Sequence, residues 1–143
     1  GVLLIMGERG AGFRSSDEGA TWQKVILPYA GSMFGVLSLG GERVLAYGLR
    51  GNVFESANAG STWSKVESGT NFSLIGGAVG SDGSVAVVGG NGILLTRKAN
   101  ASAFTVHHVQ AKNGQTPSLS SVMPTDAGFL LTSDLGNISY TVQ

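Results

Sequence analysis

The residues best suited to chemistry occur twice at one spacing. "RSSDEGATW", Arg14 to Trp22, returns 41 residues later as "ESANAGSTW", Glu55 to Trp63. Each stretch brings together a serine hydroxyl, an Asp or Asn and a threonine, a set that a hydrolase could use as nucleophile and acid. A tight turn could use the same set, because Ser and Asx side-chain oxygens accept hydrogen bonds from amides within a loop. The second copy favours the turn: Asn58 replaces Asp17, and an amide keeps the acceptor but cannot serve as an acid. Ser15, Asp17, Ser56 and Asn58 are therefore read as turn formers. Gly19 and Gly60 would take positive φ without steric cost, and Thr21 and Thr62 would return the chain to a strand. Trp22 and Trp63 would fill the wedge between adjacent units with apolar surface.

Other constellations offer less. His107 and His108 are neighbours in sequence, so in a strand they point to opposite faces and cannot chelate one ion together. Asp17, Glu18, Asp82, Asp126 and Asp134 all fall in predicted turns, where solvated carboxylates normally sit, and no motif pairs two of them for glycosidase work. "GGNG", Gly89 to Gly92, follows a strand but opens another strand, so a phosphate-cradling loop lacks its helix. No metal, cofactor or catalytic residue is expected from these patterns.

Composition narrows the partners. The 143 residues include nine Lys and Arg against nine Asp and Glu, no cysteine and 23 glycines. A disulfide framework and a thiolate metal site are excluded. No basic field or basic–aromatic window is present to capture nucleic acid. The apolar run at the start, Val2 to Met6, is far shorter than the roughly 20 residues a membrane-spanning helix needs. The excess glycine with only three prolines points to many tight turns between short strands.

The repeat extends over the whole chain. A 41-residue shift places Gly7, Gly48 and Gly89 in register, and likewise Gly10, Gly51 and Gly92. Trp22 falls on Trp63 and then on Phe104, although the third copy, "RKANASAF", has lost the serine, aspartate and threonine. A fourth copy places Gly136 44 residues after Gly92, with about three residues inserted within "VQAKNGQTPS". Apolar runs such as "GVLSL", "RVLAYG", "NVFES" and "TWSKV" read as strands, and no segment keeps a 3.6-residue period for ten residues. Four short strands with their turns fill one repeat, the size of a β-propeller blade. The predicted fold is all-β: about three and a half four-stranded antiparallel blades, bounded approximately at 1–34, 35–75, 76–117 and 118–143. Within a blade the strands are called A to D from the axis outward.

The echo resembles a family signature. Ser15, Asp17, Gly19, Thr21 and Trp22 match the Asp-box, or bacterial neuraminidase repeat, and Ser56, Asn58, Gly60, Thr62 and Trp63 match it with Asn for Asp. With a glycine-bounded turn before each serine, the unit is most similar to the repeats of the photosystem II stability/assembly factor family, which are seven-bladed propellers. The resemblance covers nearly all of the chain. It implies that the boxes lie at the periphery, away from any active site. A sialidase-type site would need an arginine triad with a Tyr and Glu pair. Arg9, Arg14, Arg43, Arg50 and Arg97 and Tyr29, Tyr47 and Tyr140 are present, but no motif places a supporting carboxylate.

In a propeller the B–C and D–A connections share one face, which lines up "GERG", "GLRG" and "GGNG" around one rim. Arg9 and Arg50 take identical positions there, and Asn91 takes the third. The resemblance implies an arginine-rich face that docks a protein partner, and Arg9, Arg50 and Asn91 are the positions to match it. Two readings stand: polar residues tolerated in exposed turns, or two guanidiniums in register to hold an acidic segment. The function expected is a non-catalytic scaffold binding a protein. The alternatives are part of a secreted glycoside hydrolase, sialidase-like or xyloglucanase-like, and a carbohydrate-binding propeller. The chain begins without methionine and divides into incomplete end blades, so we expect a fragment of a longer extracytoplasmic protein, periplasmic or secreted. Its open edges lead us to expect self-association or further N-terminal blades.

Overall fold

β-Branched and leucine-rich runs bounded by glycine turns form short antiparallel strands, because their side chains can alternate between two buried faces. The computed structural model describes residues 1–142 and contains four such sheets. The first joins β1 (Leu3–Met6), β2 (Gly12–Ser15) and β3 (Gln23–Lys24). The second joins β4 (Met33–Gly40), β5 (Arg43–Gly48), β6 (Val53–Ser56) and β7 (Ser64–Val66). In the third are β8 (Leu74–Val79), β9 (Val85–Gly89), β10 (Ile93–Arg97) and β11 (Thr105–His108). The fourth has β12 (Leu119–Thr125), β13 (Gly128–Ser133) and β14 (Gly136–Tyr140).

Every sheet is a meander in chain order, and β4, β8 and β12 lie side by side along one edge of the stack. This is a partial propeller, with blades of three, four, four and three strands. The closeness of the inner strands explains one glycine: a Cβ on Gly76 would collide with the Ser120 carbonyl oxygen of the next blade.

The core is three apolar layers between blades. Val25 and Leu27 of the first blade meet Met33, Ala46 and Phe54 of the second. Leu45, Tyr47 and Val53 meet Val85, Val87, Ile93 and Leu95 of the third. Ala86, Val88 and Leu94 meet Val122 and Leu131 of the fourth. Each full blade is therefore apolar on both faces, which accounts for the continuous hydrophobic runs.

Three sequence expectations change. Trp63 packs against the layer between the first two blades, but Trp22 is 40% exposed, because no sheet among the described residues covers the face of the first blade on which it lies. Thr21 and Thr62 do not yet belong to strands, which begin two residues later at Gln23 and Ser64. Gly136 is not the counterpart of Gly92. Val87 pairs with Leu95 and Leu131 with Ile138, and all four face the preceding blade, so the β13–β14 hairpin is one residue shorter than β9–β10. The inserted residues do lie where the sequence placed them, in the connection 109–118 between β11 and β12.

Candidate functional site

The turns between the strands called B and C in the first three repeats are held by the same bonds. Ala11, Asn52 and Ile93 donate their backbone N–H to the carbonyls of Glu8, Leu49 and Gly90, at 2.9, 3.2 and 3.3 Å. The two central residues of each turn have positive φ: Arg9 and Gly10 (54° and 74°), Arg50 and Gly51 (57° and 73°), Asn91 and Gly92 (55° and 67°). Paired left-handed residues closed by this bond make a type I′ turn, whose preferred sequence is Asn-Gly. "NG" at Asn91 and Gly92 meets that preference. Arg9 and Arg50 do not, since a left-handed conformation costs an ordinary residue about 1–2 kcal/mol. At the second position glycine is enforced: a Cβ on Gly51 would strike the Thr70 carbonyl oxygen.

These turns rest on the connection that leads to the next blade. The Arg9 N–H donates to Ser32 Oγ at 3.2 Å and the Arg50 N–H to Ser73 Oγ at 3.3 Å. Gly92 N–H reaches the Pro117 carbonyl at 2.7 Å. The turns and these connections thus share one face, and Arg9, Arg50 and Asn91 stand exposed on it, one per blade. Among the described residues, neither Arg9 nor Arg50 has a carboxylate within ion-pair distance.

The two box loops lie at the opposite ends of β2 and β6. Ser15, almost fully buried, accepts from the Gly19 N–H at 2.8 Å and donates to Asp17 Oδ1 at 2.8 Å. Asp17 accepts from the Thr21 N–H at 2.9 Å and from the Thr21 hydroxyl at 2.5 Å. Trp22 Nε1–H closes the loop on the Gly19 carbonyl at 3.1 Å. The second loop repeats the set through Ser56, Asn58, Gly60, Thr62 and Trp63, with Asn58 Nδ2 donating to Thr62 Oγ1 at 2.8 Å. Gly19 and Gly60 adopt φ of 93° and 84°. The Thr21 hydroxyl, the Thr21 amide and then the Ser15 hydroxyl lower the Asp17 pKa to about 2. A carboxyl held so firmly as an anion by its own loop cannot donate a proton near neutrality.

A cluster that no motif announced lies between the second and third blades. Glu55 Oε1 accepts from Arg43 Nη2 at 2.7 Å, and Glu55 Oε2 from Arg97 Nη1 at 2.8 Å. The Arg97 side chain is only 3% exposed, with its guanidinium carbon 4.9 Å from the Phe104 ring centre. Partial burial raises the Glu55 pKa, but hydrogen bonds from the two arginines and their charge outweigh it and hold the carboxyl below its ordinary value. One blade earlier, Arg14 Nε reaches the Ala59 carbonyl of the second box at 2.8 Å. Residues 14 and 55 are equivalent, so each of these seams carries a polar tie from the same repeat position.

The remaining candidates are dispersed. His107 Nε2 meets Thr96 Oγ1 at 2.8 Å, and its ring meets Tyr140 of the fourth blade edge-on. His108 lines a cleft with Phe72 and Ile93 on the other side of its strand. Burial, and secondarily the neighbouring His108, lower the His107 pKa. Asp82 bonds Ser84 in its own turn, and Asp134 accepts from the Ser118 N–H at 2.7 Å. No three His, Cys, Asp or Glu side chains among the described residues are grouped to hold a metal ion, and no helix is long and apolar enough to cross a membrane.

No protein-family model and no curated protein matches the sequence. Solved structures do match the fold. An ancestral GH74 enzyme superposes with a TM-score of 0.78 at 14% identity, over 95% of this chain and 20% of that one. YCF48 from Cyanidioschyzon merolae superposes with a TM-score of 0.66 at 18% identity, over 92% of this chain and 48% of that one. YCF48 bound to D1 peptide gives 0.66 at 16%, over 92% and 42%. The chain thus spans a fifth of the enzyme and less than half of the YCF48 structures. At these identities the likeness is one of architecture, and it is shared by an enzyme and a peptide-binding protein: the chain has a β-propeller-like fold.

Proposed function

We propose that the chain works as a non-catalytic propeller scaffold that docks an acidic segment of a partner protein across the rim formed by Arg9, Arg50 and Asn91. The observation that carries this reading is the strained placement of the arginines. Both occupy left-handed turn positions that Asn fills at lower cost one blade further on. Strain retained in register at two exposed positions points to a use for the side chain. Neither guanidinium is engaged by a carboxylate among the described residues, so both can receive one. Two exposed charge pairs contribute only about 1–2 kcal/mol together, so the segment needs further contacts along the rim and its binding weakens with salt. The peptide-bound YCF48 structure is in accord with a propeller-like fold serving to bind a peptide.

A second reading follows from the GH74 neighbour: the same blades could be part of a glycoside hydrolase whose acids are supplied elsewhere. Fluorescence anisotropy with acidic peptides separates the two. The scaffold reading expects binding that is lost in the Arg9→Glu/Arg50→Glu variant, and unchanged affinity would remove the rim as the site. Binding or cleavage on a glycan array, with no peptide binding, would favour the hydrolase.

A further inference from the structure

We propose that the cleft between the second and third blades, lined by Arg43, Glu55 and Arg97, binds a carboxylate-bearing sugar, a uronic acid in its simplest form. The cleft encloses about 450 Å³, within the roughly 300–1,000 Å³ of small-molecule sites. Both blades that form it have four strands. It runs beside the second box loop and the loop that replaces the box in the third repeat, on the face opposite the arginine rim.

Arg97 is the residue that points to a ligand. Its side chain is only 3% exposed, and its Nη1 is engaged by Glu55 Oε2. Among the described residues its Nε and Nη2 have no acceptor, yet no fully buried side-chain nitrogen or oxygen lacks a partner. Those two donors therefore reach the surface of the cleft that Arg97 lines. They form the side-on edge of the guanidinium, whose parallel N–H groups match the two oxygens of a carboxylate. Contact with the Phe104 ring, 4.9 Å from the guanidinium carbon to the ring centre, helps to fix the plane of that edge.

Charge and lining narrow the ligand. Glu55, bonded to both arginines, is held ionised, so the three groups leave one positive charge, which suits a monoanion. Arg43 gives Nε and Nη2 to Glu55, and its Nη1, on a side chain 40% exposed, remains as a further donor. The wall also includes Ser64, Asn100 and Ser102, all exposed. Hydroxyl and amide side chains both donate and accept, and so match a ligand that carries hydroxyls beside its carboxylate.

The preceding seam lacks this arrangement. There Arg14 takes the place of Glu55 and bonds the Ala59 carbonyl, and the buried Ser56 takes the place of Arg97. The cleft lies apart from Arg9 and Arg50 and does not depend on them.

The test is a titration of the full chain with galacturonate and with its methyl ester, followed by ligand-observed saturation-transfer NMR and by the Arg97 Nε–H signal. Galacturonate should move that signal saturably. The ester, which has the same hydroxyls but no charge, should bind at least about tenfold more weakly. Arg97→Lys keeps a cation for Glu55 but removes the side-on edge, and should lose the saturation transfer, whereas Arg9→Asn/Arg50→Asn should bind as the wild type does. The ester comparison needs no variant and decides the matter if Arg97→Lys fails to fold. An Arg97 signal that does not move, equal affinity for the ester, or undiminished binding by folded Arg97→Lys would overturn the proposal. So would acetate or inorganic phosphate binding as tightly as galacturonate, since the hydroxyl contacts would then contribute nothing.

Discussion

Arg97 Nη1 lies 2.8 Å from Glu55 Oε2, joining the third blade to the second. Arg97 stands at the repeat position held by Ser15 and Ser56 in the two box loops. The third copy has thus exchanged a buried hydroxyl that shapes its own turn for a buried guanidinium that reaches back to its neighbour. Removing Glu55 would leave Arg97 buried without a counter-charge, which is costly. Glu55→Ala should destabilise the chain by about 2–3 kcal/mol, less than for a fully buried pair because the carboxylate is 20% exposed. Arg43→Ala, at 40% side-chain exposure, should cost below about 1 kcal/mol. Urea unfolding of both variants checks the order, and equal losses would deny Arg97 its role across the seam.

Asp17 gives a pH signature. Its folded pKa of about 2 lies below the unfolded value of about 4. Its contribution to stability is therefore complete above pH 4 and is lost as the pH falls towards 2. Asp17→Asn, which copies Asn58, removes that titration. The Tm difference between wild type and variant should be constant above about pH 5 and change only between about pH 4 and 2. A carboxyl NMR titration with a midpoint near 4 would show that the loop does not hold the anion.

The tryptophans should differ although their loops match. Trp63 is packed between blades, and Trp22 is 40% exposed. Trp63→Ala should cost about 2–3 kcal/mol and Trp22→Ala about 1 kcal/mol or less. Thermal and urea denaturation measure both. Similar costs would mean that the loop bond from the indole to glycine matters more than burial.

Arg9→Asn and Arg50→Asn should each raise stability by about 0.5–1 kcal/mol, because Asn tolerates the left-handed conformation better than Arg. The double variant should also lose acidic-peptide binding. A stabilised protein that has lost binding is the outcome expected of a site held under strain. A destabilised one would show that the arginine side chains support the turn.

The legible part of the chain was what a few neighbouring residues settle. The box bonds join residues two to four apart, so "SSDEG" and "SANAG" carried their own loop geometry in their residue types. The turn at Asn91 and Gly92 was also readable as Asn-Gly, and aligning it with Arg9 and Arg50 would have revealed the left-handed arginines before any coordinates. Glu55 and Arg97 were both visible as charges, but they are 42 residues apart, and no local pattern pairs them. Gly136 misled because glycine spacing marks turns and not the number of residues inside them.

Sequence alone determined the repeat, its short strands, the bonding of the two box loops and the residues that line one rim, because hydrogen bonds between near neighbours and alternation along a strand need no distant partner. Tertiary structure decided which faces are covered. Trp22 and Trp63 close the same loop motif and differ in exposure, and Leu95 and Ile138 hold the same strand position and differ in cover. Burial and strand pairing belong to what the neighbouring blade supplies, and only the stacking of blades fixes that.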